Sequence, residues 1–188
     1  MLFEIRELGA HVWISAFSAK PDDVEQVLRA MQDRSPEISV QLVDLDRVAG
    51  SRYLFLAIFN AMKSFRSKQP ITRSLGMEIL VYVAANRQIG EALKRVGVTA
   101  DTRRVAALAV GTSKVQVLGS AAALRELLKG QDHDKLVDEW NHERIQNIRS
   151  LFEIGDKELK AIVRKNEEMS KAVERLAIER SAMLTIKR

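Results

Sequence analysis

The pattern of apolar and polar residues along the chain predicts four β-strands. Residues 2–6 and 11–17 alternate between apolar and polar or smaller side chains, and Gly9 suits the turn between them. Residues 38–44 alternate in the same way and predict a third strand. Residues 103–110 predict a fourth strand, and its uninterrupted apolar run from position 105 onward is typical of a buried strand.

Spacings of three and four residues between apolar positions predict helices between the strands. Pro21 is well placed as a first helical residue, and the helix after it should end before Ser35-Pro36. Gly50-Ser51 open a second helix that runs to about Phe65. Lys68-Gln69-Pro70 ends that helix, because the residue before a proline is disfavoured in the α region.

Two further helices are predicted before the fourth strand. Thr72 is the expected N-cap of the first, in which the apolar run 79–85 indicates burial on most sides. A short helix starts from Arg87, with Asn86 as its cap and Gly97 as its left-handed terminator. The apolar positions of this short helix that we expect to face inward are Ile89, Leu93 and Val96.

The chain beyond the fourth strand is predicted to be mainly helical. Residues 114–118 either continue the strand or begin a hairpin, and Ser120 is expected to cap a helix that ends at Gly130. A further helix covers residues 134–152, and a long final helix follows Gly155-Asp156. These elements indicate an α+β (mixed α/β) fold, with a small, mainly antiparallel sheet packed with helices and a helical C-terminal third.

Composition narrows the class of protein. The 188 residues are 46% hydrophobic and 29% charged, with three prolines and no Gly/Ser-rich tract that could serve as a linker. We therefore expect one domain over residues 1–188, with the sheet and its helices in 1–118 and the helical part in 119–188. The absence of cysteine excludes disulfides and fits a reducing compartment. Because no apolar run approaches the roughly 20 residues of a membrane span, and the N-terminus lacks a signal-peptide core, we expect a cytoplasmic protein without a membrane partner.

Candidate catalytic and metal-binding residues are few and scattered. His11, His133 and His142 stand apart from one another, and no H-E-x-x-H or G-x-S-x-G motif is present. The nearest approach to a phosphate-binding loop is Gly111-Thr112-Ser113-Lys114, an amide-rich turn with a lysine that lacks the first glycine of a P-loop. A plain exit from the strand is the other interpretation of this turn. We therefore expect no enzymatic activity, metal, cofactor or small-molecule substrate.

The positive charge of the chain is concentrated between residues 60 and 104. This block contains nine Lys or Arg and three acidic residues, a net charge of +6, whereas the whole chain carries +5. A local excess of this kind indicates a polyanion or an acidic protein as partner. The candidate nucleic-acid-binding residues are Lys63, Arg66, Lys68, Arg73 and Arg87.

The spacing of these candidates favours a phosphate-binding surface. Lys63 and Arg66 are three residues apart and share one helix face, while Lys68 follows in the loop. Arg73 opens the next helix, where free backbone N–H groups also attract an anion. Phe65 is available for stacking on a base. The alternative, that these are ordinary solvated surface charges, stays open at this point.

Three segments of the chain, residues 60–65, 71–80 and 87–98, resemble a family of small, non-catalytic KEOPS subunits. The animal member of this family is the PRPK-binding protein. The resemblance continues more loosely through residues 106–111 and 173–180, and the short, cysteine-free chain is similar to the archaeal members.

The resemblance implies a mixed α/β fold and a role without chemistry of its own. Members of the family dock on the kinase-like ATPase subunit of KEOPS and support the formation of threonylcarbamoyl-adenosine beside the tRNA anticodon; archaeal members grip the single-stranded CCA end of tRNA. By this resemblance Lys63, Arg66, Lys68 and Arg73 would contact tRNA phosphates, with Arg87 as a further member. Two other classes stay open, a stand-alone protein-interaction adaptor with a basic docking face and a small phosphate-handling enzyme.

Overall fold

The computed structural model describes residues 1–18 and 22–186 of the chain. Its strands are β1 (Leu2–Ile5), β2 (Ala10–Phe17), β3 (Ser39–Asp44) and β4 (Val105–Gly111). Its α-helices are α1 (Val24–Arg34), α2 (Ser51–Arg66), α3 (Leu75–Ala84), α4 (Ile89–Val96), α5 (Lys114–Leu127), α6 (His142–Leu151), α7 (Asp156–Ile162) and α8 (Met169–Ala182). Short 3₁₀ helices occupy Arg6–Leu8, Leu45–Arg47, Asp134–Asp138 and Met183–Thr185.

The strands form one antiparallel sheet in the order β1-β2-β4-β3. Trp13 of β2 lies opposite Ala109 of β4, and Leu42 of β3 lies opposite Ala107. All three strand pairs are antiparallel, so the predicted α+β fold with an antiparallel sheet is confirmed. β1 and β3 are the edge strands.

The two faces of the sheet support two hydrophobic clusters. Because successive side chains of a strand point to opposite faces, Val12 and Ile14 belong to different sides from Trp13 and Phe17. One side packs against α2 and α3, with α8 packed in turn on these two helices, and the other side packs against α1 and α5. None of the helices in the described ranges is both long and apolar enough to cross a bilayer.

Helix α3 is the most deeply buried helix segment on the first side of the sheet. Every residue from 78 to 84 is buried, which confirms the predicted burial on most sides. α3 packs against α2, α4, β3 and α8. The Tyr53 hydroxyl at the start of α2 donates to the Val83 carbonyl at 2.5 Å, so α2 and α3 run antiparallel and the end of α2 lies near the start of α3.

A buried arginine joins the C-terminal helices to the rest of the fold. The guanidinium of Arg144 in α6 donates to the carbonyls of Val48 at 2.8 Å and Val137 at 2.9 Å. It also lies 5.0 Å from the ring centroid of Trp140. Burial lowers the pKa of Arg144 to about 10, so this side chain remains charged at neutral pH. The segment before α2 is thereby tied to the 3₁₀ helix Asp134–Asp138.

Several predicted helix ends in the first half of the chain were wrong or lie outside the described residues. Pro21 lies outside them, and α1 begins at Val24 with Asp23 as its N-cap. Asn86 is not the N-cap of α4. Its side-chain oxygen accepts from Gln88 N at 2.9 Å, and Gln88 is the N-cap of the helix, which begins at Ile89. Gly97 has a φ of −66° and is therefore not left-handed.

The inward face predicted for α4 is only partly correct. Ala92 and Val96 are buried, but Ile89 is 39% exposed and Leu93 is 46% exposed. The short helix turns its side chains at positions 92 and 96 toward α3 and leaves this apolar pair in solvent.

The predictions for the C-terminal third placed helices correctly but not their limits. Residues 114–118 form neither a strand nor a hairpin, because the Ser113 side chain caps a helix that begins at Lys114. Ser120 is buried within that helix and is not its cap. The predicted helix 134–152 is interrupted before α6, whose N-cap is Asn141.

The predicted long final helix is two helices, α7 and α8. Val163 takes an extended conformation after α7, and Asn166 adopts a left-handed one with a φ of +64°. The side chain of Glu167 then accepts from Arg164 N at 3.0 Å and from the Arg175 guanidinium at 2.8 Å. These hydrogen bonds lower the pKa of Glu167 to about 2. They also stabilise the turn between the two helices.

Candidate nucleic-acid interface

The predicted nucleic-acid-binding cations lie at the C-terminal end of α2 and in the connection that follows it. Lys68 has a φ of +55°, and Gln69 N donates to the Ser64 carbonyl at 3.1 Å. This bond and the left-handed residue before it form a Schellman-type helix end, in which glycine is the usual residue at the position of Lys68. The buried Ser64 hydroxyl donates to the Gln69 carbonyl at 2.9 Å. The chain direction after α2 is therefore fixed by hydrogen bonds.

A buried carboxylate holds the second half of this connection. Glu78, in the first turn of α3, is fully buried. Its side chain accepts from Ile71 N at 3.0 Å, and from Thr72 N at 2.8 Å and the Thr72 hydroxyl at 3.0 Å. Hydrogen bonds to an ionised carboxylate are stronger than neutral ones. Arg73 follows directly, so the backbone that carries it is anchored from inside the protein.

Thr72 is not the N-cap that the sequence predicted. Ser74 caps α3, because its hydroxyl oxygen accepts from Met77 N at 3.3 Å. Thr72 points its hydroxyl to the buried Glu78 instead. The correction moves the start of α3 two residues along the chain and places Arg73 immediately before the cap.

Four of the five predicted cations lie at this one end of the α2–α3 pair. They are Lys63, Arg66, Lys68 and Arg73, and all four are exposed. We call residues 63–73 the basic connection. None of these four forms an ion pair with a carboxylate of the described residues, whereas nine arginines elsewhere in those ranges do. Cations that are left unpaired in this way are free to neutralise an anionic ligand.

Local contacts orient two of these cations. Arg66 Nη1 donates to the Glu7 carbonyl at 3.0 Å, so the turn between β1 and β2 lies beside the basic connection. The ammonium of Lys63 lies 5.4 Å from the ring centroid of Phe59. Arg6, in the same turn as Glu7, is exposed and is a further cation that sequence reasoning missed, although its Nε lies 3.8 Å from a carboxylate oxygen of Glu4. No local pattern could reveal it, since 59 positions separate Glu7 from Arg66.

Arg87 does not join the other four. It lies beyond the C-terminal end of α3, and ten helical residues separate the ends of this helix by about 15 Å. Its Nη1 donates to the Leu184 carbonyl at 3.3 Å. The predicted set therefore divides into a group of four and one distant residue.

Phe65, the predicted stacking residue, stands between Lys63 and Arg66 on the last turn of α2. It is half-buried and belongs to neither core cluster of the described residues. An aromatic ring outside the core can stack on an unpaired base.

The turn Gly111-Thr112-Ser113-Lys114 has a structural explanation. A Cβ at Gly111 would lie 2.2 Å from Ile38 Cδ1, so a larger residue there would have to displace the Ile38 side chain, which precedes β3. Contrary to the sequence prediction, a helix does open at Lys114. Within the described ranges, no group of three or more His, Asp or Glu side chains is arranged to hold a metal ion.

Comparisons with known proteins agree on one family. Residues 22–185 match the family model described as kinase binding protein CGI-121. The chain is 30% identical over 117 residues to the regulatory protein Cgi121 of Methanocaldococcus jannaschii, covering 62% of this chain and 72% of that protein. It is 22% identical over 86 residues to the EKC/KEOPS complex subunit CGI121 of Yarrowia lipolytica, covering 46% of this chain and 51% of that protein. The second match thus spans about half the length of the Yarrowia protein.

Proposed function

Because the chain belongs to the kinase-binding protein CGI-121 family, we propose that it is a non-catalytic accessory subunit of a KEOPS complex. In this role it binds tRNA through the basic connection, docks on the kinase-like ATPase subunit and supports threonylcarbamoyl-adenosine formation in the cytoplasm. The names of two relatives, a KEOPS complex subunit and a regulatory protein, support the accessory role. The observation that carries tRNA binding is the grouping of four exposed, unpaired cations at one end of α2 and α3.

The cations of the basic connection suit a single-stranded RNA. Each phosphate that a lysine or arginine neutralises releases counterions, so affinity falls as salt concentration rises. With four contacts to a single strand, the slope of log affinity against log salt is expected to be about −3. The single-stranded CCA end of tRNA offers such phosphates together with unstacked bases for Phe65.

We expect Lys68→Glu with Arg73→Glu to weaken tRNA binding by roughly 30-fold at low salt, because two phosphate contacts are replaced by repulsion. Both side chains are exposed, so the melting temperature should change little. Fluorescence anisotropy with labelled tRNA at several salt concentrations measures the effect. The matched control is Lys157→Glu with Lys160→Glu on α7, two exposed lysines whose reversal changes the net charge equally.

The same measurement distinguishes the proposal from its alternatives. Lys68→Gly removes one charge but suits the φ of +55°, so it should keep the stability and still lower the affinity. Trimming the CCA end should weaken binding as strongly as the double charge reversal. Equal affinity for trimmed and intact tRNA would exclude the gripping of this end. Equal weakening by the α7 control would indicate a general charge effect, as expected of an adaptor that meets an acidic protein.

We place the docking site for the kinase-like subunit on α4. Ile89 and Leu93 are four residues apart, so they lie on one helix face, and both are substantially exposed. An apolar pair left in solvent on one helix face is typical of a protein interface. The pair lies near Arg87, at the end of α3 remote from the basic connection.

We expect Ile89→Glu with Leu93→Glu to weaken binding of the purified kinase-like subunit by roughly 30-fold, as for residues at the centre of an interface. Affinity for tRNA should not change. Isothermal titration calorimetry measures the first quantity. The matched control is Val115→Glu with Leu118→Glu, a pair on α5 that is 79% and 44% exposed. Loss of binding in the α5 variant alone would place the docking site on the other side of the sheet.

A further inference from the structure

Helix α5 has a second apolar face, which it turns to solvent. Its buried residues pack against β2 and β4. On the solvent side Val115 is 79% exposed and Leu118 is 44% exposed. Gly119 and Ala122 are exposed as well. These four positions follow the spacing i, i+3, i+4 and i+7, so they form one line along the helix, which we call the α5 stripe.

The α5 stripe carries no charge along its length. Residues 115–124 contain no charged residue, although 29% of the whole chain is charged. The solvent face of a helix in a soluble protein usually carries charged or polar side chains, and a helix that is apolar on both sides is normally covered on both. A contiguous exposed apolar face therefore indicates a protein interface.

Charges of opposite sign stand at the two ends of the stripe. Lys114 begins the helix, is exposed and forms no ion pair with a carboxylate of the described residues. The side chain of Glu126, in the last turn, is 71% exposed and pairs with Arg34 at 3.0 Å. At 1.5 Å per residue the two ends are about 18 Å apart. A surface that is positive at one end and negative at the other is complementary to its own antiparallel copy.

The shape of the stripe is also complementary to itself. Leu118 stands beside Gly119, where an added Cβ would meet no atom within 4 Å. In an antiparallel pair with its two-fold axis near the middle of α5, Leu118 of each copy lies opposite Ala122 of the other. The same register places Lys114 of each copy opposite Glu126 of the other. The small residues let the two helices approach closely, so that the larger side chains interdigitate.

We propose that a second copy of this chain covers the α5 stripe, through an antiparallel, two-fold symmetric pairing of α5 with itself. Each copy contributes the same residues, as a two-fold interface requires. One helix face buries less than the roughly 800 Å² per partner of a standard interface, so the dimer is weak and depends on protein concentration. The pairing leaves the basic connection and α4 free, because α2, α3 and α4 belong to the other side of the sheet.

Sedimentation velocity of the full-length protein tests the dimer. The wild type should be mainly monomeric at about 2 µM and mainly dimeric at about 200 µM, the range expected of a small interface. Val115→Glu with Leu118→Glu should stay monomeric throughout, because a dimer would bury four additional carboxylates. Both side chains are exposed, so the melting temperature should change little. The matched control is Ile89→Glu with Leu93→Glu on α4, which should dimerise like the wild type.

The two charged ends allow a test of the antiparallel register. Lys114→Glu and Glu126→Lys each place like charges opposite one another at both ends of the pair, so each variant alone should dimerise roughly tenfold more weakly. An equimolar mixture of the two should recover the wild-type association, because a mixed dimer has opposite charges at both ends. In a parallel pairing each single variant would keep the wild-type affinity, and that result would overturn the proposed register. Loss of the exposed Arg34–Glu126 pair should change the melting temperature little.

A substitution at Gly119 separates association from folding. In Gly119→Gln the new side chain has open space within its own chain, and glutamine favours a helix more than glycine does. The melting temperature should therefore rise while the dimer becomes weaker, because the bulk of the glutamine keeps the two helices apart. A Gly119→Gln variant that dimerises as tightly as the wild type would contradict the close approach of the helices.

Two results would overturn the inference as a whole. One is a wild-type protein that stays monomeric at the higher concentration, as expected if a different protein covers the stripe. The other is a dimer that persists in Val115→Glu with Leu118→Glu. The inference does not rest on the proposed function, because RNA affinity and docking of the kinase-like subunit are measured at other surfaces. Either of those can fail while the dimer forms, and the reverse also holds.

Discussion

Replacing Glu78 with alanine is expected to lower the free energy of unfolding by about 3 kcal/mol and to weaken tRNA binding by roughly tenfold. The carboxylate is the acceptor for Ile71 N, Thr72 N and the Thr72 hydroxyl. Without it these donors remain buried and unpaired, and each costs about 1 kcal/mol or more. The basic connection then loses its defined conformation, so Arg73 must be ordered again when RNA binds. Urea denaturation and RNA titration measure the two effects.

A graded series separates the bonds from the charge. Glu78→Gln keeps one acceptor oxygen and the shape of the side chain, so we expect about half of the loss in stability. Thr72→Val removes only the hydroxyl donor and should cost less still. If Glu78→Ala unfolded at the same urea concentration as the wild type, or if the folded variant bound tRNA with undiminished affinity, the carboxylate would not hold the basic connection.

Replacing Arg144 with methionine is expected to lower the free energy of unfolding by about 4 kcal/mol without changing tRNA affinity. Methionine fills the space, but the carbonyls of Val48 and Val137 lose their donors while still buried. Arg144 is remote in the chain from the basic connection and packs among α6, the 3₁₀ helix Asp134–Asp138 and the segment before α2. Urea denaturation with RNA titration below the unfolding transition measures both quantities.

Comparison with Glu78→Ala separates an effect on the RNA-binding segment from a general loss of stability. Both substitutions remove a buried charged group that bonds to the backbone, but only one of these groups holds the RNA-binding segment. Arg144→Lys should recover little stability, because an ammonium cannot reproduce the planar fork of the guanidinium. A fall in tRNA affinity in Arg144→Met, measured on folded protein, would show that stability alone accounts for the effect at Glu78.

Local patterns predicted the strands and the burial of α3 because both depend on neighbouring residues. Alternation in residues 11–17 places side chains on two faces whatever the partner strand is. The run of apolar residues in α3 likewise predicts burial without knowledge of what covers it. These features carry the fold class, and the antiparallel sheet confirms it.

Helix ends were harder to predict because several use residues that local rules disfavour. Four helices end with a left-handed residue that is not glycine, followed by an N–H that donates to the carbonyl five residues earlier. The left-handed residues are Lys68, Ala85, Lys129 and Glu153. Each costs about 1 kcal/mol relative to glycine, a cost that tertiary packing offsets. A search for glycine therefore finds Gly97, which is not left-handed, and misses the actual ends.

The positive charge of the candidate site could be predicted from the sequence, but the contacts that hold the site could not. Four cations within eleven positions suggested the basic connection, and the chain has only to reverse once to bring them together. Glu78 gave no such signal, because one glutamate near an apolar run does not reveal which backbone groups it will accept from.

Helix α3 also determines the distance between the two proposed binding surfaces. The basic connection adjoins its first residue and α4 follows its last, so the two proposed binding surfaces are separated by the length of one helix, about 15 Å. Since residues 78–84 are buried, α3 cannot tilt or slide without disrupting the core around it. An RNA strand and a protein partner bound at its two ends would therefore be held at a constant spacing, and the subunit would act as a rigid spacer between them.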